Sequence, residues 1–134
     1  MEDLIYKKEF YEIKNACIEI RKHLGNGFLE KVYENALKYE LELRKFKVEA
    51  QKEIDVFYKE AEVGKYYADL IADDKIIIEL KCASEISSAH KSQLLNYLKA
   101  TGYKLGIIVN FPNDKNGFQI ERIPNFRNER NDGN

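Results

Sequence analysis

The chain has 134 residues, of which 44% are hydrophobic and 34% are charged, and its formal net charge is −1. This length fits one domain that can bury a core without disulfides or a structural metal. The composition excludes a disordered chain, and the charge argues against a protein that coats nucleic acid by bulk positive charge. No apolar run is long enough to cross a membrane, and the acidic N-terminus is unlike a signal peptide. We therefore expect a cytoplasmic protein.

Hydrophobic periodicity predicts eight elements. Spacings of three and four, as from Tyr6 to Leu24, indicate amphipathic helices. Alternation with a period of two indicates half-buried strands, and a β-branched run indicates a central strand. In chain order, the predicted elements are helices over residues 6–24 and 28–46, strands over 48–58, 65–72 and 75–81 (with a turn over 59–64), a helix over 87–102, and strands over 104–111 and 118–123.

The order of these elements indicates an α/β fold, in which helices flank a mixed sheet. The strand-helix-strand step over residues 75–111 predicts a parallel pair with a right-handed crossover. We expect a single domain over residues 1–124 and a polar, frayed tail over residues 125–134.

The stretch from Asp69 to Lys81 holds the side chains best suited to chemistry. Glu79 and Lys81 are two apart in an apolar strand, so they share a face and are out of place unless that face opens onto a site. Asp69 joins them only if it lies opposite Glu79, which requires a three-residue connection, 73–75, or a bulge. A two-residue turn would place the two carboxylates on opposite faces.

Two converging carboxylates suit a hard divalent cation such as Mg²⁺. A lysine beside them could orient or deprotonate a metal-bound water and stabilise charge on a phosphate. From these residues alone, an ion pair between Glu79 and Lys81 at the end of the strand explains the pattern equally well. Both interpretations stay open at this point.

The predicted helices carry further candidates. Glu30 lies at the margin of the apolar stripe of the second helix, although a lone carboxylate there is more often a solvated charge. Glu40 lies nearer the centre of that stripe, and its alternative is an ion pair with the arginine four residues later. On the third helix, Gln93 and Tyr97 share a side with His90 one turn earlier, and an ordinary amphipathic helix is the alternative there.

Together these residues resemble the GxxExxY protein family, a branch of the PD-(D/E)XK nuclease superfamily. The resemblance covers residues 5–123 and implies a restriction endonuclease-like core, with a mixed sheet of four to five strands flanked by helices. No proline precedes Asp69, a departure at a position without a direct chemical task. The motifs are Gly27-Phe-Leu-Glu30-Lys-Val-Tyr33, Gly64-x4-Asp69, Glu79-Leu-Lys81 and His90-x2-Gln93-x3-Tyr97-Leu98.

The resemblance also implies roles for individual residues. Asp69 and Glu79 would be catalytic, metal-binding acids, and Lys81 would be the catalytic lysine. Glu30 and the main-chain carbonyl of Leu80 would complete the ligand set for Mg²⁺ or Mn²⁺. The residues that would position nucleic acid are Gln93 and Tyr97, together with His90, whose role the family pattern leaves undefined.

The expected function is therefore metal-dependent hydrolysis of phosphodiester bonds, with DNA as the expected substrate and no membrane partner. One alternative is a non-catalytic module that keeps the nuclease fold and binds nucleic acid or a protein partner, and another is a structural subunit of a larger assembly. A homodimer would enlarge the nucleic-acid footprint of a chain this short. The segment over residues 75–104 holds five lysines against two glutamates, so a substrate could meet a locally positive face.

Overall fold

The structure is a computed structural model that describes residues 4–125 of the chain. It confirms the α/β class and the predicted order of the elements. The helices are α1 (Lys7–Leu24), α2 (Glu30–Leu43) and α3 (Ser88–Thr101), and the strands are β1 (Val48–Tyr58), β2 (Ala61–Ala72), β3 (Ile76–Lys81), β4 (Leu105–Asn110) and β5 (Gln119–Pro124).

The five strands form one mixed sheet in the order β1-β2-β3-β4-β5. β3 and β4 are parallel, as the strand-helix-strand pattern predicts, and α3 connects them. The other neighbouring pairs are antiparallel. The carboxyl end of β3, where Glu79 and Lys81 lie, is therefore in the middle of the sheet rather than at its edge.

Two hydrophobic clusters cover the sheet. The larger cluster packs α1 and α2 against one face, and the smaller one packs α3 against the other. Successive residues of β3 belong to the two clusters in turn: Ile76 and Ile78 face the larger cluster, and Ile77 faces the smaller one. Burial on both faces explains why β3 has an unbroken apolar run instead of alternation.

The turn predicted over residues 59–64 is wrong in length. Tyr58 already pairs with Ala61, so only Lys59 and Glu60 connect β1 and β2. Residues 61–64 are exposed, and without a buried face they carry no hydrophobic alternation that could identify them as part of a strand. β1 and β2 therefore form a long two-stranded ribbon that extends past the end of β3.

The last described residue, Asn125, lies within the predicted tail but is fully buried. Its side-chain nitrogen donates to the main-chain oxygens of Leu98 and Tyr103 at 3.0 and 3.1 Å. Residues 126–134 lie outside the described residues, and the frayed tail stays a prediction for them. Among residues 4–125, no helix is long and apolar enough to cross a bilayer.

We expect Gly106→Ala to destabilise the protein, because a Cβ at this position of β4 would lie 2.7 Å from a terminal carbon of Leu94 and 2.9 Å from its branching carbon. Leu94 is buried in the smaller cluster and cannot move aside freely. The free energy of unfolding, measured by urea denaturation, should fall by about 1–3 kcal/mol.

Gly64→Ala is the matched control, because no atom lies within 4 Å of a Cβ built at that position of β2. Its effect should stay within about 0.5 kcal/mol. Equal stability of the two variants would contradict the close packing of α3 on β4.

Candidate active site

The connection between β2 and β3 sets the position of the site. Ala72 pairs with Ile76, so the connection consists of the three residues 73–75. This confirms the connection that convergence of the two carboxylates requires. Continued away from the turn, the same register places Asp69 opposite Glu79.

Side-chain hydrogen bonds replace the backbone ladder where Asp69 faces Glu79. One oxygen of Asp69, Oδ2, accepts a hydrogen bond from the main-chain N–H of Leu80 at 2.9 Å. In return, Oε2 of Glu79 accepts one from the main-chain N–H of Asp69 at 3.3 Å. Each carboxylate is therefore held by the backbone of the opposite strand, and the two charges lie side by side.

At Asp69, β2 reverses which of its two faces points toward each hydrophobic cluster. Tyr66 and Ala68 pack in the smaller cluster, whereas Leu70 and Ala72 pack in the larger one. All four are an even number of residues apart, and a regular strand would place them on a single face. The break in alternation thus lies at Asp69, one of the two candidate acids.

Glu79 also accepts a hydrogen bond from a tyrosine that is itself stacked on a second tyrosine. The hydroxyl of Tyr66 donates to Oε2 of Glu79 at 2.5 Å. The ring of Tyr97, from α3, stacks on Tyr66 with centroids 3.9 Å apart and an interplanar angle of 10°. Tyr97, for which the family resemblance implies nucleic-acid binding, therefore packs against the residue that donates a hydrogen bond to Glu79.

Two residues that sequence reasoning missed, Glu34 and Gln51, extend the network. Glu34 of α2 is only 4% exposed. The side-chain nitrogen of Gln51 donates to Oε1 of Glu34 at 2.9 Å and to Oδ1 of Asp69 at 3.3 Å. The spacing of four residues from Glu30 was a signal for Glu34. Gln51 had no signal, because a polar residue in a half-buried strand is ordinary.

Burial raises the pKa of both central carboxyls. The pKa of Glu79 rises to about 7, chiefly because the group is desolvated, and the charge of Asp69 adds to the effect. Desolvation also raises the pKa of Asp69, the N–H of Leu80 opposes it, and the nearby charge of Glu34 raises it further. The site thus concentrates negative charge that repels itself.

Glu30 and Lys81 lie at the edge of this charged group. Desolvation raises the pKa of Glu30, the positive charge of Lys81 lowers it, and the charge of Asp69 raises it. Across residues 4–125, no carboxylate oxygen lies within 4.0 Å of the ammonium group of Lys81, so the alternative ion pair with Glu79 does not form. Lys81 is therefore available for another partner.

The carboxylates of Asp69 and Glu79 are suitable ligands for a hard divalent cation, although they do not form a complete coordination shell. In the part of the chain that the structure describes, no three His, Cys, Asp or Glu side chains are placed to hold a metal. Asp69 and Glu79 nevertheless offer carboxylate oxygens, and a cation between them would relieve their mutual repulsion. Mg²⁺ is usually bound by one or two carboxylates and several waters, so two acids are sufficient protein ligands. Leu80 contributes its N–H to Asp69 here, and the ligand role of its carbonyl stays a prediction.

A pocket of about 240 Å³ opens beside Glu79 and Lys81. Its other wall is α3, which contributes all three predicted nucleic-acid-binding residues, His90, Gln93 and Tyr97. Neither Asp69 nor Glu30 is among the lining residues. The pocket therefore brings the predicted nucleic-acid-binding residues together with Glu79 and Lys81, whereas Asp69 lies outside the pocket lining.

Two residues whose roles the sequence left open make structural contacts. The ring Nδ1 of His90 accepts the N–H of Ser87 at 3.1 Å, and the hydroxyl of Ser87 accepts the N–H of His90 at 3.0 Å. This reciprocal cap begins α3 and places Gln93 one turn later. Glu40 is outside the site, because its carboxylate pairs with Arg44 at 2.8 Å as the alternative interpretation predicts.

The sequence and the fold were compared with those of known proteins. The family model of the PD-(D/E)XK nuclease superfamily matches residues 7–123. Among curated proteins, none matches the chain. The fold is similar to the crystal structure of a protein called SSO0001, with a TM-score of 0.52 and 20% sequence identity. The match covers 94% of this chain but 65% of that one, so this chain spans less than two thirds of that protein, and the likeness concerns the fold alone.

Without metal, the protein should lose stability as the pH rises from about 5 to 8. The pKa of Glu79 in the folded protein, about 7, lies above the ordinary value of 4.5, so the folded state keeps a proton that the unfolded chain has released in this range. The expected loss in the free energy of unfolding is on the order of 3 kcal/mol by pH 8. Urea denaturation in EDTA at several pH values measures it.

Glu79→Gln should remove most of this pH dependence, because the amide does not ionise. Glu62→Gln, at an exposed carboxylate of β2 paired with Lys65, is the control and should keep the wild-type dependence. A wild-type stability that rises over this pH range would show that Glu79 is not held in a desolvated, repulsive setting.

Proposed function

The chain belongs to the PD-(D/E)XK nuclease superfamily, and on that basis we propose that it is a Mg²⁺- or Mn²⁺-dependent nuclease that hydrolyses DNA. The observation that carries the proposal is the register of β2 and β3, which brings Asp69 opposite Glu79. Lys81 follows on the same face of β3 without an ion pair to any carboxylate of residues 4–125. Two adjacent acids, one of which lines the pocket together with an unpaired lysine, are the groups that metal-assisted phosphodiester hydrolysis needs.

Asp69 and Glu79 would hold the divalent cation. The expected further ligands are the carbonyl of Leu80 and Glu30, and Glu30 would have to approach the two acids when the cation binds, because no three acidic side chains of residues 4–125 already lie at metal-binding distances. When bound, the cation supplies a Lewis acid that activates water and offsets charge on the phosphate. The side chains do the rest of the positioning. Tyr66 keeps the carboxylate of Glu79 in a fixed orientation through its hydroxyl.

Lys81 acts on the reacting groups themselves. Its ammonium group is unpaired within the described residues and lines the pocket beside Glu79. From there it donates hydrogen bonds to the attacking water and to a non-bridging phosphate oxygen, which aligns the nucleophile and stabilises the charge that develops in the transition state.

The α3 wall of the pocket would hold the substrate strand. Gln93 is exposed on this wall and presents an amide that both donates and accepts hydrogen bonds. His90 and Tyr97 flank it at the same pocket. Because the cap of α3 occupies the ring Nδ1 of His90, its Nε2 is the atom that can meet a phosphate or sugar oxygen.

Purified protein should cleave DNA only when Mg²⁺ or Mn²⁺ is present, and Asp69→Asn and Lys81→Met should each lower kcat by about 10²-fold or more. Asp69→Asn removes a metal ligand, and Lys81→Met removes the ammonium group while keeping the aliphatic length. Single-stranded and double-stranded DNA and RNA, tested in parallel, identify the substrate.

Lys38→Ala is the matched control, because Lys38 pairs with Glu42 on the surface of α2 away from the pocket. It should cleave like the wild type. Cleavage that persists unchanged in both site variants would contradict the assigned site. Absence of both cleavage and calorimetric Mn²⁺ binding at millimolar metal would instead support a non-catalytic module.

Gln93→Ala should raise the KM for DNA about 3- to 10-fold with little change in kcat, because it removes hydrogen bonds to the bound strand but no group that reacts. Steady-state kinetics at two salt concentrations measures both constants. Asn96→Ala changes an exposed amide of α3 outside the pocket and should leave KM unchanged. A fall in kcat alone would place Gln93 among the reacting groups instead.

A further inference from the structure

We propose that Gln51 is a positioning residue, which holds Asp69 in place for a divalent cation without neutralising the negative charge of the site. The inference rests on the proposed metal-dependent function and adds a residue that acts through Asp69. Three observations support it: the contacts of the Gln51 amide, the conformation of its backbone, and the chemistry of every donor around the two acids.

The amide of Gln51 joins three elements. Its single side-chain nitrogen donates to Glu34 on α2 at 2.9 Å and to Asp69 on β2 at 3.3 Å. An amide nitrogen has two hydrogens, so both donors are used. The amide thus lies between two like charges and holds each of them by a hydrogen bond.

Glu34 serves as the anchor of the bridge. It is 4% exposed, and its second oxygen accepts a hydrogen bond from the ammonium group of Lys31 at 2.7 Å. Both of its oxygens are therefore occupied, and a buried carboxylate with both partners in place is costly to displace. Gln51 is thereby fixed at one end and holds Asp69 at the other.

The backbone of Gln51 adopts a conformation that few strand residues take. Its φ is +53°, in the left-handed region, although it is the fourth residue of an eleven-residue strand. Ala50 pairs with Leu70 and Lys52 with Ala68, so Gln51 lies directly opposite Asp69. A non-glycine residue is kept in this region only where its surroundings demand it.

β1 also reverses which face points toward each cluster, within the stretch that lies opposite the break in β2. Val48 packs in the larger cluster, whereas Ile54 packs against the smaller one, although they are an even number of residues apart. The left-handed residue on β1 therefore faces the break in alternation on β2. The distortion of both strands is centred on the pair Gln51 and Asp69.

All the donors to the two candidate ligands are neutral. Within residues 4–125, the hydrogen bonds to Asp69 and Glu79 come from the amide of Gln51, the hydroxyl of Tyr66 and main-chain N–H groups, including that of Leu80. A lysine or arginine would hold these acids by ion pairs and cancel the charge that attracts a cation. An amide fixes their orientation and leaves that charge in place.

The test compares Mn²⁺ binding by the full chain and two variants, measured by calorimetry. Gln51→Gly accepts the left-handed backbone but has no amide, so the fold should persist while the Kd for Mn²⁺ rises about 10- to 100-fold. Gln51→Lys places a positive charge at the bridge and should bind Mn²⁺ more weakly still. Nuclease activity of Gln51→Gly should recover at raised Mn²⁺, since only the metal affinity is changed.

Lys59→Gly is the matched control, because Lys59 also has a left-handed backbone, with φ of +55°, but lies in the exposed turn between β1 and β2. It should bind Mn²⁺ like the wild type. A Gln51→Gly protein with a Kd within twofold of the wild type overturns the positioning role, and so does one that fails to fold, because the amide would then hold the fold rather than the site. A wild type that binds no Mn²⁺ overturns the proposed function itself, which the wild-type titration alone reports.

Discussion

Two carboxylates held side by side and partly removed from water are the constraint on which the rest of the site depends. Asp69 and Glu79 repel each other, and desolvation adds to the cost of ionising either one. The protein keeps them together because each carboxylate accepts a hydrogen bond from a main-chain N–H of the opposite strand. On the proposed function, a bound cation would relieve this repulsion, and stability would then depend on metal as well as on pH.

The sheet provides the rigidity that this arrangement needs. β3 lies between an antiparallel and a parallel neighbour and is covered by helices on both faces, so the strand that carries Glu79 and Lys81 has no freedom to shift. β2 pairs with β3 over only three residue pairs before the two strands part. The acids lie at that point of parting, where side chains can take over from the ladder.

α3 connects the proposed substrate-binding wall of the pocket to the acids. Its N-terminal cap orients His90, the next turn presents Gln93 to the pocket, and the turn after that places Tyr97 against Tyr66. Because Tyr66 donates to Glu79, a displacement of α3 would reach the carboxylate through one stacked pair and one hydrogen bond. The helix that connects β3 and β4 thus supports the orientation of Glu79 as well as the core.

Local sequence was sufficient for the element order and the parallel pair, because hydrophobic periodicity can be read along the chain. It left the register of β2 and β3 open, since a two-residue and a three-residue connection both fit the residues, and the pairing of Ala72 with Ile76 decided that Asp69 lies opposite Glu79. Tertiary structure alone decided that Gln51 bridges to Glu34, since that contact joins residues from different elements, and the left-handed backbone that permits it leaves no mark in a pattern of alternating polarity. The composition excluded a bulk-charge coating protein, and the fold shows that the partly buried Asp69 and Glu79 form a local concentration of negative charge with the buried Glu34.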